Sequence, residues 1–427
     1  MLDIKFIREN PQAVREAVRQ KNENADIDQI LAFDQKRREI IAEVERLKAL
    51  RNNVSEQIAQ KKRKKEDTSS EIAEMKEVGD KIAQLDESLR QIEGELESLL
   101  LRVPNIPHPS VPVGADEESN VTVKEWGTVS QPTFILLPHW DLGRKLKILD
   151  LEAGAKISGS GFFVLKGAGA RLQRALINFM LDLHIRDGFT EVRVPYLVNS
   201  PAMTGTGQLP KMADDLYKIE DENLWLIPTA EVPLTNFHRE EILAEEQLPL
   251  YYVAYTPCFR REAGAAGKDT RGMIRVHQFD KVELVKIVHP EKSYLEHESL
   301  LQQAEKVLQA LKIPYRVRLL CTGDLSFAGA KCYDIELWSA GVGKFLEVSS
   351  VSNFEAFQAR RMNTRFRDKN KKVQFVHTLN GSGTALPRLT AAVMENYQTE
   401  YGTILIPEAL RPYMAGTAEI TGDGKEK

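Results

Sequence analysis

The residues best suited to chemistry lie between Cys258 and Glu283, where two strand-like segments flank a loop of glycines and charged residues. On the first segment Arg260 and Glu262 are two residues apart, so a strand would place both side chains on one face. The second segment continues the alternation with Arg275, His277, Phe279, Lys281 and Glu283. Guanidinium groups bind phosphate oxygens, an aromatic ring stacks on a flat base, and carboxylates bind an amine or a metal. This set of groups suits a nucleoside triphosphate.

Two further segments combine carboxylates with hydroxyl groups. Thr229 and Glu231 lie together in WLIPTAEVPL, and Glu347 lies with Ser349 and Ser350 in FLEVSSVSNF. Both segments have the composition of strands, and their oxygen atoms are suited to an ammonium group or to magnesium. Each could equally be an ordinary strand edge, just as the first motif could be a solvated hairpin whose charges pair across its strands.

An arginine near the C-terminus occupies an unusual position. The segment HTLNGSGTALPRLTAAVMENYQTEYG predicts a strand, a glycine turn and a helix with Leu386, Leu389 and Val393 on one side. Arg388 falls in the first turn of that helix, where a positive charge opposes the helix dipole. A bound anion would stabilise an arginine at this position.

Composition excludes several classes of protein. The chain has 427 residues, of which 42% are hydrophobic and 28% charged, as is typical of a soluble globular protein of two or three domains. Its net charge of −4 means that a nucleic-acid partner must be met by local basic clusters. The three cysteines form no CxxC pair, which argues against a disulfide framework or a cysteine-rich zinc site. Because no apolar run reaches the length of a membrane span, we expect a cytoplasmic protein with no membrane partner.

The first hundred residues predict a helical hairpin. After a short helical entry broken at Pro11, Phe33, Ile40, Leu47 and Val54 recur every seven residues. The second helix has apolar residues at alternating spacings of three and four, namely Met75, Val78, Ile82, Leu85, Leu89, Ile92, Leu96 and Leu99. Such seams are typical of a coiled coil. We predict an antiparallel pair of helices, each about 50 Å long at 1.5 Å rise per residue.

A basic cluster lies at the predicted tip of this hairpin. It consists of Lys61, Lys62, Arg63, Lys64 and Lys65. Adjacent positive charges repel one another and do not stabilise a helix, so the cluster is either a solvated helix end or a contact for nucleic acid.

Prolines set the predicted domain boundary. Pro104, Pro107, Pro109 and Pro112 prevent the second helix from continuing. We therefore predict an N-terminal domain at 1–102, a linker at 103–120 and a catalytic domain at 121–427. The glycines of 157–170 superficially suggest a dinucleotide-binding loop, but the required acidic residue and βαβ frame are missing, so we reject that interpretation.

Three elements follow the linker in a fixed order: a long helix with a strand ending around Pro195, the FRRE sequence with the later Phe279, and GSGTALPR opening a helix. They resemble motifs one, two and three of class II aminoacyl-tRNA synthetases. With TAE (229–231), HQFDKVE (277–283), EVSS (347–350), HTLNGSG (377–383) and the basic-tipped hairpin, essentially the whole chain resembles bacterial-type seryl-tRNA synthetases. Ala385 departs from the general motif three, which has a glycine there.

The resemblance implies an α+β fold and a two-step reaction. The expected fold is an N-terminal antiparallel two-helix coiled coil followed by a class II catalytic domain, whose antiparallel β-sheet is flanked by helices and which forms a homodimer through motif one. The expected activity is ATP-dependent activation of L-serine to seryl-adenylate, followed by transfer to the 3′ end of tRNA(Ser), and of tRNA(Sec) where it is present.

The resemblance also assigns an ATP site with Mg²⁺. Its residues are Arg260, Arg261, Glu262, Arg275, Val276, Phe279, Glu347, Val348, Ser349, Ser350 and Arg388. Arg260 would contact the α-phosphate, where charge builds during attack by the serine carboxylate. Arg388, the second expected catalytic residue, would hold the γ-phosphate of a bent ATP together with Arg275. Glu347 and Ser350 would hold Mg²⁺.

The remaining expected roles concern the adenine base and the variable position of motif two. Glu262 would bind the adenine amino group, Phe279 would stack on the ring, and Val276 would line the base through its backbone. Arg261 fills a position that varies in the family.

The expected serine site comprises Thr229, Ala230, Glu231, Glu283, Asn380 and Ser382. Thr229 and Glu231 would take the ammonium group, while Glu283 and the region of Ser382 would receive the hydroxyl. Such a site rejects alanine, which would leave its polar groups unpaired. The basic cluster would bind tRNA by contacting the phosphate backbone and the shape of the RNA more than its base sequence.

Two alternatives differ in substrate or in class. One is a related ligase, for threonine or for a carrier protein, against which the basic-tipped hairpin and the lack of a cysteine-rich zinc pocket argue. The other is a non-catalytic binder built on a coiled coil. The joint presence of Arg260, Glu262, Glu347 and Arg388 argues against the binder, because a chain that had lost catalysis would be free to lose these costly charges.

Overall fold

The computed structural model describes residues 1–130, 132–263 and 271–427. They form two compact units, Met1–Pro104 and Asn105–Lys427. Part of the loop predicted between the two strands of motif two, residues 264–270, lies outside the described residues. None of the described helices is long and apolar enough to span a membrane.

The first unit is helical. Its helices are α1 (Ile4–Glu9), α2 (Pro11–Gln20), α3 (Ile27–Arg63) and α4 (Ser69–Leu100). The Asp26 side chain caps α3 by accepting a hydrogen bond of 2.9 Å from the Gln29 amide, which satisfies one of the free N–H groups of the first turn. The break predicted at Pro11 is present, since that proline opens α2, where its missing N–H costs nothing.

α3 and α4 pair in opposite directions. Arg37 contacts Glu93 at 2.9 Å near one end of the pair, and Lys61 forms an ion pair with Glu71 near the other end. The seam buries apolar residues from both helices, namely Ile30, Val44, Leu47, Ile82, Ile92 and Leu96. The predicted antiparallel hairpin is confirmed. The basic cluster 61–65 covers the last turn of α3 and the start of the connection to α4, and 62–65 are exposed.

The second unit is a mixed α and β structure. Its elements in chain order are β1 (Val121–Trp126), α5 (His139–Lys145), β2 (Leu149–Asp150), α6 (Leu151–Ser158), β3 (Val164–Leu165), α7 (Ala168–Arg186), β4 (Thr190–Glu191), β5 (Leu197–Asn199), α8 (Ser200–Thr206), β6 (Leu224–Leu226), α9 (Glu231–Thr235), β7 (Ile242–Ala244), β8 (Leu250–Phe259), β9 (Gln278–Val288), α10 (Ser293–Ala310), β10 (Tyr315–Leu319), β11 (Lys331–Ser339), β12 (Lys344–Asn353), α11 (Phe357–Met362), β13 (Arg365–Arg367), β14 (Val373–Phe375), β15 (His377–Ala385), α12 (Leu386–Asn396), β16 (Ile404–Leu405), β17 (Glu419–Thr421) and β18 (Lys425–Glu426).

One large sheet organises this unit. Its strands lie in the order β1-β10-β11-β12-β15-β9-β8-β4, and every neighbouring pair is antiparallel except β4 with β8. Helices α7, α10 and α12 bury apolar residues against it, including Leu176, Leu300 and Leu389, which have no exposed surface. The predicted α+β class, with an antiparallel sheet flanked by helices, is confirmed.

The segment predicted as a linker bonds to the second unit by its backbone. The Asn105 amide donates to the carbonyl of Phe327 at 3.0 Å, and the Thr322 amide donates to the carbonyl of Pro112 at 2.9 Å. The Asn105 side chain is buried and donates to the carbonyls of Ala328 and Phe354, both at 2.9 Å.

Several local predictions are wrong, for reasons of tertiary context. Thr229 precedes the short helix α9 and does not lie in a strand. The predicted glycine turn in 377–385 is absent, because β15 continues through both glycines, with a bulge at Gly383, and leads into α12. The strand predicted to end at Pro195 is reduced to the two residues of β4. β8 ends at Phe259, so Arg260 and Glu262 lie beyond the strand and do not share a strand face.

Candidate active site

The central strands of the sheet carry polar side chains where an ordinary core would be apolar. In β9, Glu283 has no exposed surface and lies opposite Ser382 of β15. Asn380 of β15 and Lys281 of β9 are also buried. Buried charges are costly unless they are paired and hydrogen-bonded, so such a cluster in the middle of a sheet indicates a binding site.

Glu283 is the acceptor at the centre of this cluster. Asn380 Nδ2 donates to Glu283 Oε1 at 3.0 Å, while Thr229 and Ser382 donate their hydroxyls to Oε2 at 3.3 and 3.4 Å. Lys281 Nζ forms an ion pair with the same carboxylate. The structure thus brings together four of the six residues predicted for serine, with Ala230 fully buried beside Thr229.

Lys281 is a site residue that the sequence interpretation did not assign. Its ammonium donates to Thr229 Oγ1 at 2.7 Å besides pairing with Glu283. The strand alternation of the second segment places Lys281 and Glu283 on one face, so the pattern contained the information, but a lysine beside a glutamate also fits an ordinary surface pair.

The predicted ammonium ligand, Glu231, opens α9 two residues after Thr229 and is buried. Gln358 Nε2 donates to Glu231 Oε1 at 2.7 Å, and Gln358 is itself buried. Burial, and to a lesser extent the negative charge of Glu283, raise the pKa of Glu231 to about 7. A positively charged ligand group would stabilise the ionised form of such a carboxyl group and lower its pKa again. Gln358 had no recognisable motif in the sequence.

One polar atom in this cluster has no partner among the described residues. Asn380 Nδ2 donates to Glu283, but the buried Asn380 Oδ1 accepts no hydrogen bond. A buried acceptor without a donor is destabilising. A ligand with a hydroxyl or ammonium group would satisfy it.

A cationic and aromatic surface adjoins the acidic cluster. The guanidinium of Arg260 lies 5.1 Å from the centre of the Phe279 ring, a cation–π contact. Arg260 Nε also donates to the carbonyl of Pro228 at 3.3 Å, immediately before Thr229. Arg260 therefore lies at the boundary between the predicted ATP residues and the predicted serine residues.

Other residues predicted for ATP surround Arg260. Glu262 forms an ion pair with Arg275 and has a left-handed backbone with φ of 51°. Val276 is buried and Arg261 is exposed. The Glu262–Arg275 pair brings together two side chains from opposite sides of the motif-two loop.

Arg388, in the first turn of α12 as predicted, faces the same region. Its Nε donates to the carbonyl of Ile274 at 3.0 Å, and its Nη1 lies 3.8 Å from Glu347 Oε2. The backbone carbonyls of Ile274 and Glu347 and the Glu347 carboxylate therefore hold this arginine in the first turn, where the helix dipole opposes its charge. Its side chain remains 22% exposed, which leaves part of the guanidinium available to an anion.

A β-bulge determines the geometry around Glu347. β12 pairs Ser349 with Ile335 and Glu347 with Glu336, so Val348 is an extra residue without a partner. Glu347 and Ser350, which are three residues apart, consequently face one side, and the Ser350 hydroxyl donates to Glu347 Oε1 at 3.1 Å. Val348 and Ser349 point into the interior and are buried, with Ser349 donating to the Ser382 carbonyl at 2.6 Å.

A second carboxylate that the sequence interpretation missed lies beside this pair. Asp334 of β11 is the cross-strand partner of Ser350. Burial, together with the negative charge of Glu347, raises the pKa of Asp334 well above its ordinary value. Two carboxylates and a hydroxyl are oxygen donors of the kind that Mg²⁺ prefers. Within the described residues no three His, Cys, Asp or Glu side chains form a ready-made metal cluster.

Two family models match different parts of the chain. Residues 217–397 match the family model described as "tRNA synthetase class II core domain (G, H, P, S and T)", so the second unit contains a class II synthetase core. Residues 1–107 match the model described as "Seryl-tRNA synthetase N-terminal domain".

Full-length relatives agree with both matches. The serine–tRNA ligase of Thermodesulfovibrio yellowstonii is 55% identical over 418 residues, covering 97% of this chain and 99% of the relative. That of Geobacillus kaustophilus is 56% identical over 417 residues, covering 97% and 98%. The solved seryl-tRNA synthetase of Pyrococcus horikoshii complexed with ATP has a TM-score of 0.94 and 42% identity, covering 99% of this chain and 100% of that one. The chain therefore belongs to the seryl-tRNA synthetase family, as its motifs predicted.

Proposed function

We propose that this chain activates L-serine with ATP and transfers the seryl group to the 3′ end of tRNA(Ser), and of tRNA(Sec) where that tRNA is present. In the first step a carboxylate oxygen of serine forms a bond to the α-phosphorus, and the bond from that phosphorus to the bridging oxygen breaks to release pyrophosphate. In the second step a ribose hydroxyl of the tRNA attacks the acyl carbon and AMP leaves.

The observation that carries this proposal is the convergence of buried polar groups on Glu283. A serine hydroxyl that donates to Glu283 would join a site already pre-organised by Thr229, Lys281 and Asn380. Its ammonium group would pair with Glu231, whose raised pKa favours a positive partner. Alanine lacks the hydroxyl, so it would leave this acceptor with a hydrogen-bonding position empty.

ATP would occupy the adjoining cationic surface. Arg260 would stabilise the charge on the α-phosphate. Phe279 would stack on adenine, and Glu262 would accept a hydrogen bond from the adenine amino group. Arg275 and Arg388 would bind the γ-phosphate. Binding would then require Arg275 to exchange or share its ion pair with Glu262, so ATP would change the partners of both side chains.

Mg²⁺ fits at the bulge of β12. Glu347 and Ser350 would hold it, because the bulge turns both oxygens to one side. Since the described residues contain no ready-made metal cluster, the coordination would be completed by phosphate oxygens and water, as is usual for Mg²⁺. The ion supplies positive charge that offsets the charge on the phosphates.

The first unit would serve as the tRNA-binding domain. The exposed cations Lys62, Arg63, Lys64 and Lys65, with Lys61 paired to Glu71, provide a concentrated positive charge for the RNA backbone. We further propose that two copies assemble through motif one as a homodimer and that the protein acts in the cytoplasm.

Amino-acid-dependent exchange of pyrophosphate into ATP tests the activation step. Serine, threonine, alanine and glycine are each supplied without tRNA, and we expect serine to drive exchange far above the others. Exchange driven by another amino acid would overturn the substrate but retain the ligase. Absence of exchange with all four would reject the catalytic proposal in favour of a non-catalytic binder.

A further inference from the structure

A buried histidine and a buried glutamate contact each other and belong to neither the residues predicted for serine nor those predicted for ATP. His139, at the start of α5, and Glu395, in the last turn of α12, have no exposed surface. Their side chains meet at 2.7 Å between His139 Nδ1 and Glu395 Oε1. An acidic residue in the last turn opposes the helix dipole, so Glu395 must be stabilised by its contacts.

Glu395 is surrounded by hydrogen-bond donors. Its Oε1 accepts from the backbone N–H of His139 at 2.9 Å as well as from the ring. Its Oε2 accepts from the Ser339 hydroxyl and, at 3.0 Å, from the Gly341 amide. Four donors therefore converge on one carboxylate, which fixes the ring of His139 in position.

The other ring nitrogen holds the returning arm of motif two. The backbone N–H of Met273 donates to His139 Nε2 at 2.9 Å. Because a backbone N–H can only donate a hydrogen bond, Nε2 must be the unprotonated nitrogen. Nδ1 must then carry the hydrogen that is donated to Glu395. Gly272 packs against the ring so closely that a Cβ at that position would lie 2.2 Å from His139 Nε2.

The helix that carries Arg388, α12, is connected to the same backbone segment in two ways. α12 holds the backbone of residues 273–274 twice: through Glu395, His139 and the Met273 amide, and directly through Arg388, which donates to the Ile274 carbonyl. Arg388 and Glu395 are seven residues apart, or about 10 Å along the helix. The next residue after this doubly held dipeptide is Arg275, which is expected to bind the γ-phosphate.

We propose that His139 and Glu395 are positioning residues for the nucleotide site. They fix the backbone of residues 273–274, and thereby set both the approach of Arg275 and the carbonyl that orients Arg388. The pair does not touch the predicted serine residues, so its effect is confined to ATP. This inference rests on the proposed placement of ATP at Arg275 and Arg388.

Two substitutions of His139 separate this role from simple packing. The amide of H139N can still donate to Glu395 from the position of Nδ1, but it provides no acceptor for the Met273 amide. The longer side chain of H139Q provides an acceptor near the position of Nε2 and loses the donor to Glu395. We therefore expect H139Q to keep the contact to the nucleotide loop and H139N to lose it.

Binding of ATP and of serine is measured separately by isothermal titration calorimetry on the full chain, with thermal melting as a check of folding. We expect H139N to weaken ATP binding about tenfold, the usual effect of one buried hydrogen bond, while serine binding stays within about twofold. H139Q should bind ATP close to the wild-type value even if it melts earlier. Wild-type ATP affinity in H139N, or an equal loss in both variants, would overturn the proposal.

Hydrogen exchange of residues 271–277 gives a second measurement, and its result for the wild type does not depend on whether H139N folds. In the wild type we expect slow exchange of the Met273 amide, and faster exchange in H139N than in H139Q. An amide that exchanges as fast as an exposed one in the wild type would also overturn the proposal. Failure of the proposed function is distinguishable, because the wild type would then lack serine-dependent pyrophosphate exchange whatever the variants do with ATP.

Discussion

The protonation of Glu231 should control the affinity for serine near neutral pH. Burial and the neighbouring Glu283 raise the pKa of Glu231 to about 7, so in the free protein this carboxyl is mostly protonated at pH 6 and mostly ionised at pH 8. Only the ionised form offers a charge to the ammonium group of serine. Serine must therefore compete with a proton when the pH lies below 7.

The size of the effect follows from that pKa. For a single group with a pKa of about 7, the ionised fraction falls from about 0.9 at pH 8 to about 0.1 at pH 6. The apparent Kd for serine should consequently rise about tenfold over this range. Since both measurements are made without ATP, titration of its phosphates does not contribute.

Calorimetric titration of serine into the wild type and into E231Q provides the assay. E231Q should bind serine about ten-fold or more weakly at pH 8, because a hydrogen bond to a charged group is lost, and its Kd should not vary between pH 6 and pH 8. E222Q, which changes an exposed glutamate nearby in sequence, should retain the wild-type profile. A flat wild-type profile, or the same slope in E231Q, would refute the assignment of Glu231 as the ammonium ligand.

Two further predictions concern stability and tRNA. The folded-state pKa of Glu231, about 7, lies above the ordinary value of 4.5, so the wild type loses stability as the pH rises through this window. The gain in unfolding free energy of E231Q over wild type, measured in urea, should grow by about 2 kcal/mol from pH 5 to pH 7, and a constant difference would contradict this. Replacing the four lysines of 61–65 by glutamine should weaken tRNA binding and reduce the slope of log K against log salt by up to about 3, with pyrophosphate exchange unchanged. An unaltered salt slope would remove the cluster from the interface.

Periodicity predicted the long elements because packing follows it directly. The heptads of 28–99 predicted the α3–α4 hairpin. The long helix predicted before the strand at Pro195 is α7, whose apolar side, with Leu172, Leu176 and Met180, is buried. An apolar stripe of this kind needs only a neighbouring element to pack against. The short elements depended on distant partners. Thr229 is held by Lys281 and Glu283 of β9, so its local β-propensity did not decide its conformation.

The motifs also supplied most of the residues that the structure brings together in the candidate site. The residues that support them had no comparable pattern. Gln358 reaches Glu231 from α11, 127 positions away in sequence, and His139 reaches Met273 from α5, 134 positions away. Neither belongs to a spacing pattern that would mark it in the sequence. Only the three-dimensional structure shows that its partner is a buried carboxylate or a backbone amide.

Two bulges explain why residue spacing alone could not describe the site. Strict alternation would put Glu347 and Ser350 on opposite faces of β12, whereas the unpaired Val348 turns both to the same side. A second bulge in β15 follows Ser382, where Ser382 pairs with Glu283 but the next partner, Val282, pairs with Thr384. The skipped residue, Gly383, leaves Ser382 facing Glu283 while the strand changes face on its way to α12 and Arg388. Bulges therefore join the residues predicted for serine to the residues predicted for ATP within one sheet, and a sequence pattern of period two cannot reveal them.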